Sequence, residues 1–484
     1  MKPVARLFRF LFSFIAALSL SCETQQAAGP PGSPSLSMGQ GDGSGRSGCG
    51  GKTSKRNPNA PDSVLCAIRI PGNPLISVAK SWVDPATERF LLDDQSNQGV
   101  DVVDAESHTF LGRAGGFVGA ATFGGGTATT NGQGPNSMVP TDAGTVWVSD
   151  GNSTVRVVDV NAHAVVASVS TAMAACDGGT AMTRYCGRVN EMTYDPDDRI
   201  VLVENPNPLD KTYCTTAPHN CASTAAVSYP GTGALPPYAT LISADPPYPI
   251  LGRISFPDAK GTTEAPVWDH KLHRFLVPVP TCSGATGATA CAASTGATQY
   301  IAVIDPGTVT VEKRYQIPDC AHLMPGITPA GTGMINDLSI DERDQHVIMP
   351  VCGKGNLVFD AQTGDVVNVV TEISSSDETW FNDGDGHFYV VSGVPGGATP
   401  GGGTTTSLGV VDGRTGMWLQ NVLNVGGRTP SAFAETNQAF TAVAVTAGQV
   451  SNPATDNTAC AQFGLKGTGC VTVFGHVGDA ADAR

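Results

Sequence analysis

A chain of 484 residues exceeds one ordinary domain, yet all-β repeat folds of this size form single units, so length alone imposes no division. Charged residues make up only 15%, against 58 glycines and 34 prolines, which favours strands and turns over charge-laced helices. The formal net charge of −15 repels phosphate backbones and anionic lipid heads, so it speaks against nucleic acid and suits cations or neutral ligands.

The chain opens on a basic cluster, Lys2, Arg6 and Arg9, followed by apolar Phe10 to Leu20, a run too short to span a bilayer comfortably. Residues 1–21 are therefore expected to be a secretory signal peptide. Its removal would leave 25 basic against 43 acidic residues, a net of −18. Ser19-Leu20-Ser21-Cys22 resembles a bacterial lipobox, with Ser19 where leucine is usual. Two outcomes stay open: lipidation at Cys22, or ordinary cleavage nearby that releases a soluble protein. Residues 22–60 are rich in Gly, Ser and Pro and bury too little apolar surface to offset their ordering entropy, so they read as a flexible tether. The expected location is outside the cytoplasm: periplasm, outer membrane or cell surface for a lipoprotein, the medium otherwise. No later run is long and apolar enough to be a membrane helix.

From residue 61 to 477 a unit recurs. Strand-like segments ending in Asp appear as VDVVD (Val100–Asp104), VRVVD (Val155–Asp159), IAVID (Ile301–Asp305), NLVFD (Asn356–Asp360) and LGVVD (Leu408–Asp412), with YATLIS and VTVFG as degenerate copies. Each full copy precedes a tight-turn signal and another β-rich run, such as AQTGDVVNVV, and follows two further strand-like segments. Four strands per unit, repeated seven times, predict a seven-bladed, all-β propeller of antiparallel blades. The last copy stops after its third strand. SVLCAIRIPG, residues 63–72, is expected to supply the fourth and so close the ring, which removes open sheet edges. Residues 478–484 are left as a tail.

The chain has 13 cysteines, and setting Cys22 aside leaves 12, an even number. Four pairs are close neighbours in loop-like sequence: Cys176 with Cys186, Cys214 with Cys221, Cys282 with Cys291, and Cys460 with Cys470. Cys49 with Cys66 and Cys320 with Cys352 remain as the last two pairs. An oxidising compartment would staple them as disulfides. The tight Cys-x-x-Cys pairs of a zinc site do not occur.

These repeats, with LLDDQSNQGVDVVD, GPNSMVPTDAGTVWVSDGNSTVRVVDV and NEMTYDPDDRIVLVENP the fullest, resemble the YVTN/NHL-type propellers. More narrowly they resemble the YncE-like exported propellers of bacteria, over about residues 75–475. The resemblance implies fold and export. It assigns no reaction, since fold does not settle function.

In a propeller the first strand of each blade lines the central channel. Its start carries Lys80, Asn136, Glu191, Ala265, Asp337, Glu378 and Ser431 in successive blades, with Asn190, Glu264, Asn336 and Asp377 one position earlier. Carboxylates and amides are thus expected to converge at one mouth, and oxygen-rich convergence suits Ca²⁺ or Mg²⁺. Asn136, Glu191, Glu264, Asp337 and Glu378 are the candidate ligands. The alternative is that they cap loops or pair with backbone N–H groups and Arg188. The stapled loops between the second and third strands of a blade and between successive blades would rim the same mouth. Trp82, Trp147, Trp268 and Trp380 read as packing between blades, His270 and His273 as solvated turn residues, and His322 as structural. The function expected is a cell-envelope binding protein for a small molecule or a protein or peptide at the mouth, touching membrane only through a lipid anchor. The rival is a metal-dependent hydrolase or lyase of the lactonase-like propeller type, where an ion polarises a carbonyl. Against that rival, the strand starts offer no histidine as base.

Overall fold

The computed structural model describes residues 62–119, 134–151, 153–172, 189–205, 228–229, 233–234, 237–259, 263–281, 299–318, 320–324, 335–352, 355–373, 376–392, 407–423 and 427–476. Seven four-stranded antiparallel sheets form the blades of a β-propeller. Strands are named a to d from the inside outward. Blade one comprises Val78–Asp84, Arg89–Asp94, Gly99–Asp104 and Phe110–Gly115. Blade two comprises Met138–Asp142, Thr145–Asp150, Thr154–Asp159 and Ala164–Ser170. Blade three has Met192–Asp195, Ile200–Asn205, Tyr238–Ser243 and Ile250–Ser255. Blade four has Val267–Asp269, Arg274–Val279, Tyr300–Asp305 and Thr310–Gln316. Blade five has Ser339–Asp341, His346–Val351, Gly355–Asp360 and Val366–Val370. Blade six has Ser376–Asn382, His387–Ser392, Ser407–Asp412 and Trp418–Leu423. In blade seven, Pro430–Phe433, Gln438–Val443 and Cys470–His476 are joined on the outer edge by Asp62–Ile68.

The aspartates that end strands a and c have a mechanical role. Asp159 Oδ1 accepts from the N–H groups of Asn161 and Ala162, both at 2.9 Å, and Asp360 Oδ1 does the same for Gln362 and Thr363. A short side-chain acceptor satisfies two turn N–H groups that no ladder can reach. The fourth residue after such an aspartate then takes a positive φ: His163 at 51° after Asp159, Gly364 at 80° after Asp360. The turn thereby reverses the chain and sends it into the next strand.

Inner strands are buried on both faces and outer strands are not. Strand c of blade four, Tyr300–Asp305, is buried throughout but for its last residue, while its strand d alternates through exposed positions. Seven apolar clusters follow, one at each junction between neighbouring blades. Blade one meets blade seven through Phe90 and Phe440, whose rings stack with centroids 5.1 Å apart. A fully buried side chain of this class stabilises by roughly 1.5–3 kcal/mol, so the seams hold the ring together. Ser81 and Thr429 add a hydrogen bond across the same seam, N to Oγ1 at 2.8 Å.

Asp62–Ile68 pairs antiparallel with Cys470–His476, Ile68 opposite Val471 and Asp62 opposite His476, with an irregularity between Val64 and Cys66. The disulfide between Cys460 and Cys470 is present, with Cα atoms 5.7 Å apart. Cys66 and Cys352 are each engaged in a disulfide of their own. Three of the expected local pairs, Cys176 with Cys186, Cys214 with Cys221, and Cys282 with Cys291, lie outside the described residues, as do Cys22 and Cys49.

Candidate functional site

The starts of strands a sit at equivalent places in their blades, so the fold carries their side chains to one axis. Around that axis stands Lys80. Its Nζ lies 2.5 Å from Asp337 Oδ2 and 3.6 Å from both Glu191 Oε2 and Glu378 Oε2. Four blades contribute one side chain each, and all four residues are buried, between 3% and 6% exposed. Three of the five candidate ligands are thus brought together, around an ammonium that the sequence reading recorded at a strand start and gave no role. Asp337 Oδ1 also accepts from the backbone N–H of Ala265 at 3.1 Å, which fixes the carboxylate's orientation.

The other two candidates form a separate chain. Asn136 Nδ2 donates to Asn190 Oδ1 at 3.1 Å, and Asn190 Nδ2 donates to Glu264 Oε2 at 2.9 Å and to the Thr263 carbonyl at 2.8 Å. This relay ties blades two, three and four at their strand starts. Among the described residues, no group of three His, Cys, Asp or Glu side chains is placed to hold a metal ion.

Burial alone would push the Lys80 ammonium down. The carboxylates of Asp337, Glu191 and Glu378 outweigh it and hold the group well above the ordinary lysine value. Burial raises Asp337, as do Glu191 and Glu378, against the pull of Lys80. Two further acids crowd the same region and escaped notice in the sequence because they sit at the ends of strands b. Asp93 is fully buried, and neither carboxyl oxygen has a hydrogen-bond partner among the described residues. Burial and then Glu191 and Glu378 push it well above the usual carboxylate range, which favours the neutral acid. Burial likewise raises Glu204, with Glu264 and Glu191 adding to it. Among the described residues, the inner channel is therefore a set of acids held against one ammonium, that of Lys80.

A cavity of about 320 Å³ extends from Lys80 along the strands a of blades one to six. Its lining reaches Tyr194, Pro196, His270 and Phe381, at or just beyond the C-terminal ends of those strands. The concavity therefore lies toward the a–b turns, with the charged group at its inner end, whereas the sequence reading placed a site at the strand starts. Trp82, Trp268 and Trp380 all face it. Trp82 and Trp380 meet edge to face, centroids 4.8 Å apart, and both are half-buried. These rings pack at the blade junctions, Trp268 within the blade three–four cluster and Trp82 and Trp380 against neighbouring clusters. They also line the cavity, because strand alternation sends positions 80 and 82 to the same side, into the channel. Trp147 does pack between blades two and three, fully buried. His270 is an exposed turn residue paired with Glu342, and His322 is exposed on a four-residue helix, Cys320–Leu323.

Compared with known proteins, the chain matches no protein-family model and no curated sequence.

Proposed function

We propose that the protein is an exported, cell-envelope β-propeller that binds a small ligand in its central channel. The single observation that carries this is the cavity of about 320 Å³ walled by aromatic side chains and ending on Lys80. Its size falls at the lower end of small-molecule sites, and such sites combine apolar walls with few polar groups. The disulfide between Cys460 and Cys470 supports an oxidising compartment, and the basic-then-apolar N-terminus supports export, with Cys22 as the lipidation candidate. The resemblance to YncE-like exported propellers agrees with this reading.

A divalent ion at Glu191, Asp337 and Glu378 would have to displace the Lys80 ammonium, 2.5 Å from Asp337. For that reason binding is preferred over the metal-dependent hydrolase or lyase, and Ca²⁺ or Mg²⁺ becomes a question of competition with Lys80. The test is a panel of neutral aromatics, monosaccharides and organic cations scored by thermal shift and tryptophan fluorescence, each with and without Ca²⁺. Saturable quenching by at least one small molecule is expected. A flat response across the panel would overturn the channel as a binding site, and a response seen only with Ca²⁺ would restore the metal reading.

A further inference from the structure

Resting on that reading of the channel as a ligand site, we propose that its ligand is a small organic cation, a quaternary or protonated amine. Two independent features of the cavity point to this chemistry. The walls are aromatic on several sides: Trp82 from blade one, Tyr194 from blade three, Trp268 from blade four, and Trp380 with Phe381 from blade six. Faces of Trp, Tyr and Phe attract a cation through their quadrupoles, Trp most strongly, and the attraction grows when the cation is desolvated.

The inner end supplies the second feature. Three carboxyl groups, from Asp337, Glu191 and Glu378, face one ammonium, Lys80. Fully ionised, this group carries two surplus negative charges, and with one carboxyl protonated it still carries one. Lys80 lines the cavity, but its charge is more than cancelled by partners within 3.6 Å. A ligand cation therefore meets a negative floor through low-dielectric walls, where screening by salt is weak.

Polyols fit the same lining poorly. A sugar needs many hydrogen bonds, and the hydroxyls on offer are those of Thr193, Tyr194, Ser339 and Thr379, the Tyr194 oxygen already accepting from Arg199 Nη1 at 3.4 Å. Thr379 already donates to Ser339 at 2.9 Å. An anion would stand against the carboxylates and is excluded by charge.

The experiment compares tetramethylammonium and choline with 3,3-dimethylbutan-1-ol, a neutral compound of matching shape, on the full chain by tryptophan fluorescence and thermal shift. We expect saturable quenching by the cations and affinity for the neutral isostere at least tenfold weaker. Trp380→Leu should weaken choline binding at least tenfold, with a melting transition checked to be cooperative. If that variant fails to fold, the cation-to-isostere ratio in the wild type decides alone. Equal affinity for cation and isostere, or binding of neutral aromatics without cations, would overturn the inference while leaving the channel a ligand site. Silence from every compound tested would overturn the channel reading itself.

Discussion

At the scale of single residues, charge balance in the channel is the feature with the sharpest consequences. Lys80→Met would leave Asp337, Glu191 and Glu378 facing one another without an ammonium, and breaking a buried ion pair in this way costs about 3–5 kcal/mol. The loss should shrink when Asp337→Asn is added, because one of the opposed carboxylates is then gone. Denaturant midpoints of the two single variants and the double variant check this, and simple additivity of the losses would contradict it. Asp93 behaves in the opposite sense. Its folded-state value lies above its unfolded one, so its contribution is present below about pH 4 and is lost as pH rises through the folded value. Asp93→Asn should accordingly change little near pH 4 and stabilise at pH 8, by an amount on the order of 1–3 kcal/mol. Equal effects at both pH values would show that the carboxyl carries no such strain. Convergence of Glu191, Asp337 and Glu378 was legible in the sequence, because each stands four residues ahead of a strand-end Asp or Asn and the repeat fixes the register. The role of Lys80 was not, although it occupies the same place in blade one. A lone lysine reads as a solvated charge until the ring brings three acids to it. Asp93 and Glu204 were hidden for a related reason: they belong to strands b, whose polar ends read as ordinary strand boundaries.

At the scale of elements, the repeat was readable because its turns are built from local chemistry. A strand-end Asp or Asn that accepts from the N–H groups two or three residues on leaves its mark in blades one to six, whatever the neighbouring chain does. Gly364 shows how closely such a turn fits its surroundings. It holds φ at +80°, and a Cβ there would collide with the ring of Tyr315, in the outer strand of the preceding blade. The Tyr315 hydroxyl donates to the carbonyls of Ala361 and Gln362 in the same turn, at 2.8 and 2.7 Å. Gly364→Ala should therefore lower stability by at least about 1–2 kcal/mol through left-handed backbone strain alone. A midpoint unchanged from the parent would show that the turn tolerates the side chain. The bond between Cys460 and Cys470 closes a loop between strands b and c of blade seven, and by chain-entropy reasoning it contributes about 2–3 kcal/mol. Replacing both cysteines by serine should cost that amount in a denaturation series. Peptide mapping without reductant should find this pair, and free thiols at Cys460 and Cys470 would refute it. Long insertions were the illegible part: their residues carry no periodicity, so sequence places them in loops and goes no further.

At the scale of the whole molecule, the ring depends on seams rather than on one central core. The seven junction clusters make each blade's stability conditional on both neighbours, so loss of one edge should propagate. Deleting residues 62–68 would strip the outer strand from blade seven and expose the ladder edge of Cys470–His476. Aggregation and a broadened melting transition are expected, whereas deleting residues 23–45 should change neither. Size-exclusion chromatography and calorimetry distinguish the two, and a soluble, cooperatively melting protein lacking 62–68 would show that the strand is dispensable. Fold was legible at this scale because seven copies of one pattern reinforce each other, while the channel's chemistry, made of single positions, had no such redundancy. That contrast has its own consequence. The backbone repeats around the axis, but the residues it delivers there do not: Lys80, Glu191, Ala265, Asp337, Glu378 and Ser431 occupy like positions in six blades. Scaffold and recognition are thus written in separable alphabets. The innermost side chains take no part in the turns that build the ring, so what the ring recognises can change position by position on one architecture, although exchanges at Asp337 or Ser431 also touch bonds across a blade junction, to Ala265 and Ser81.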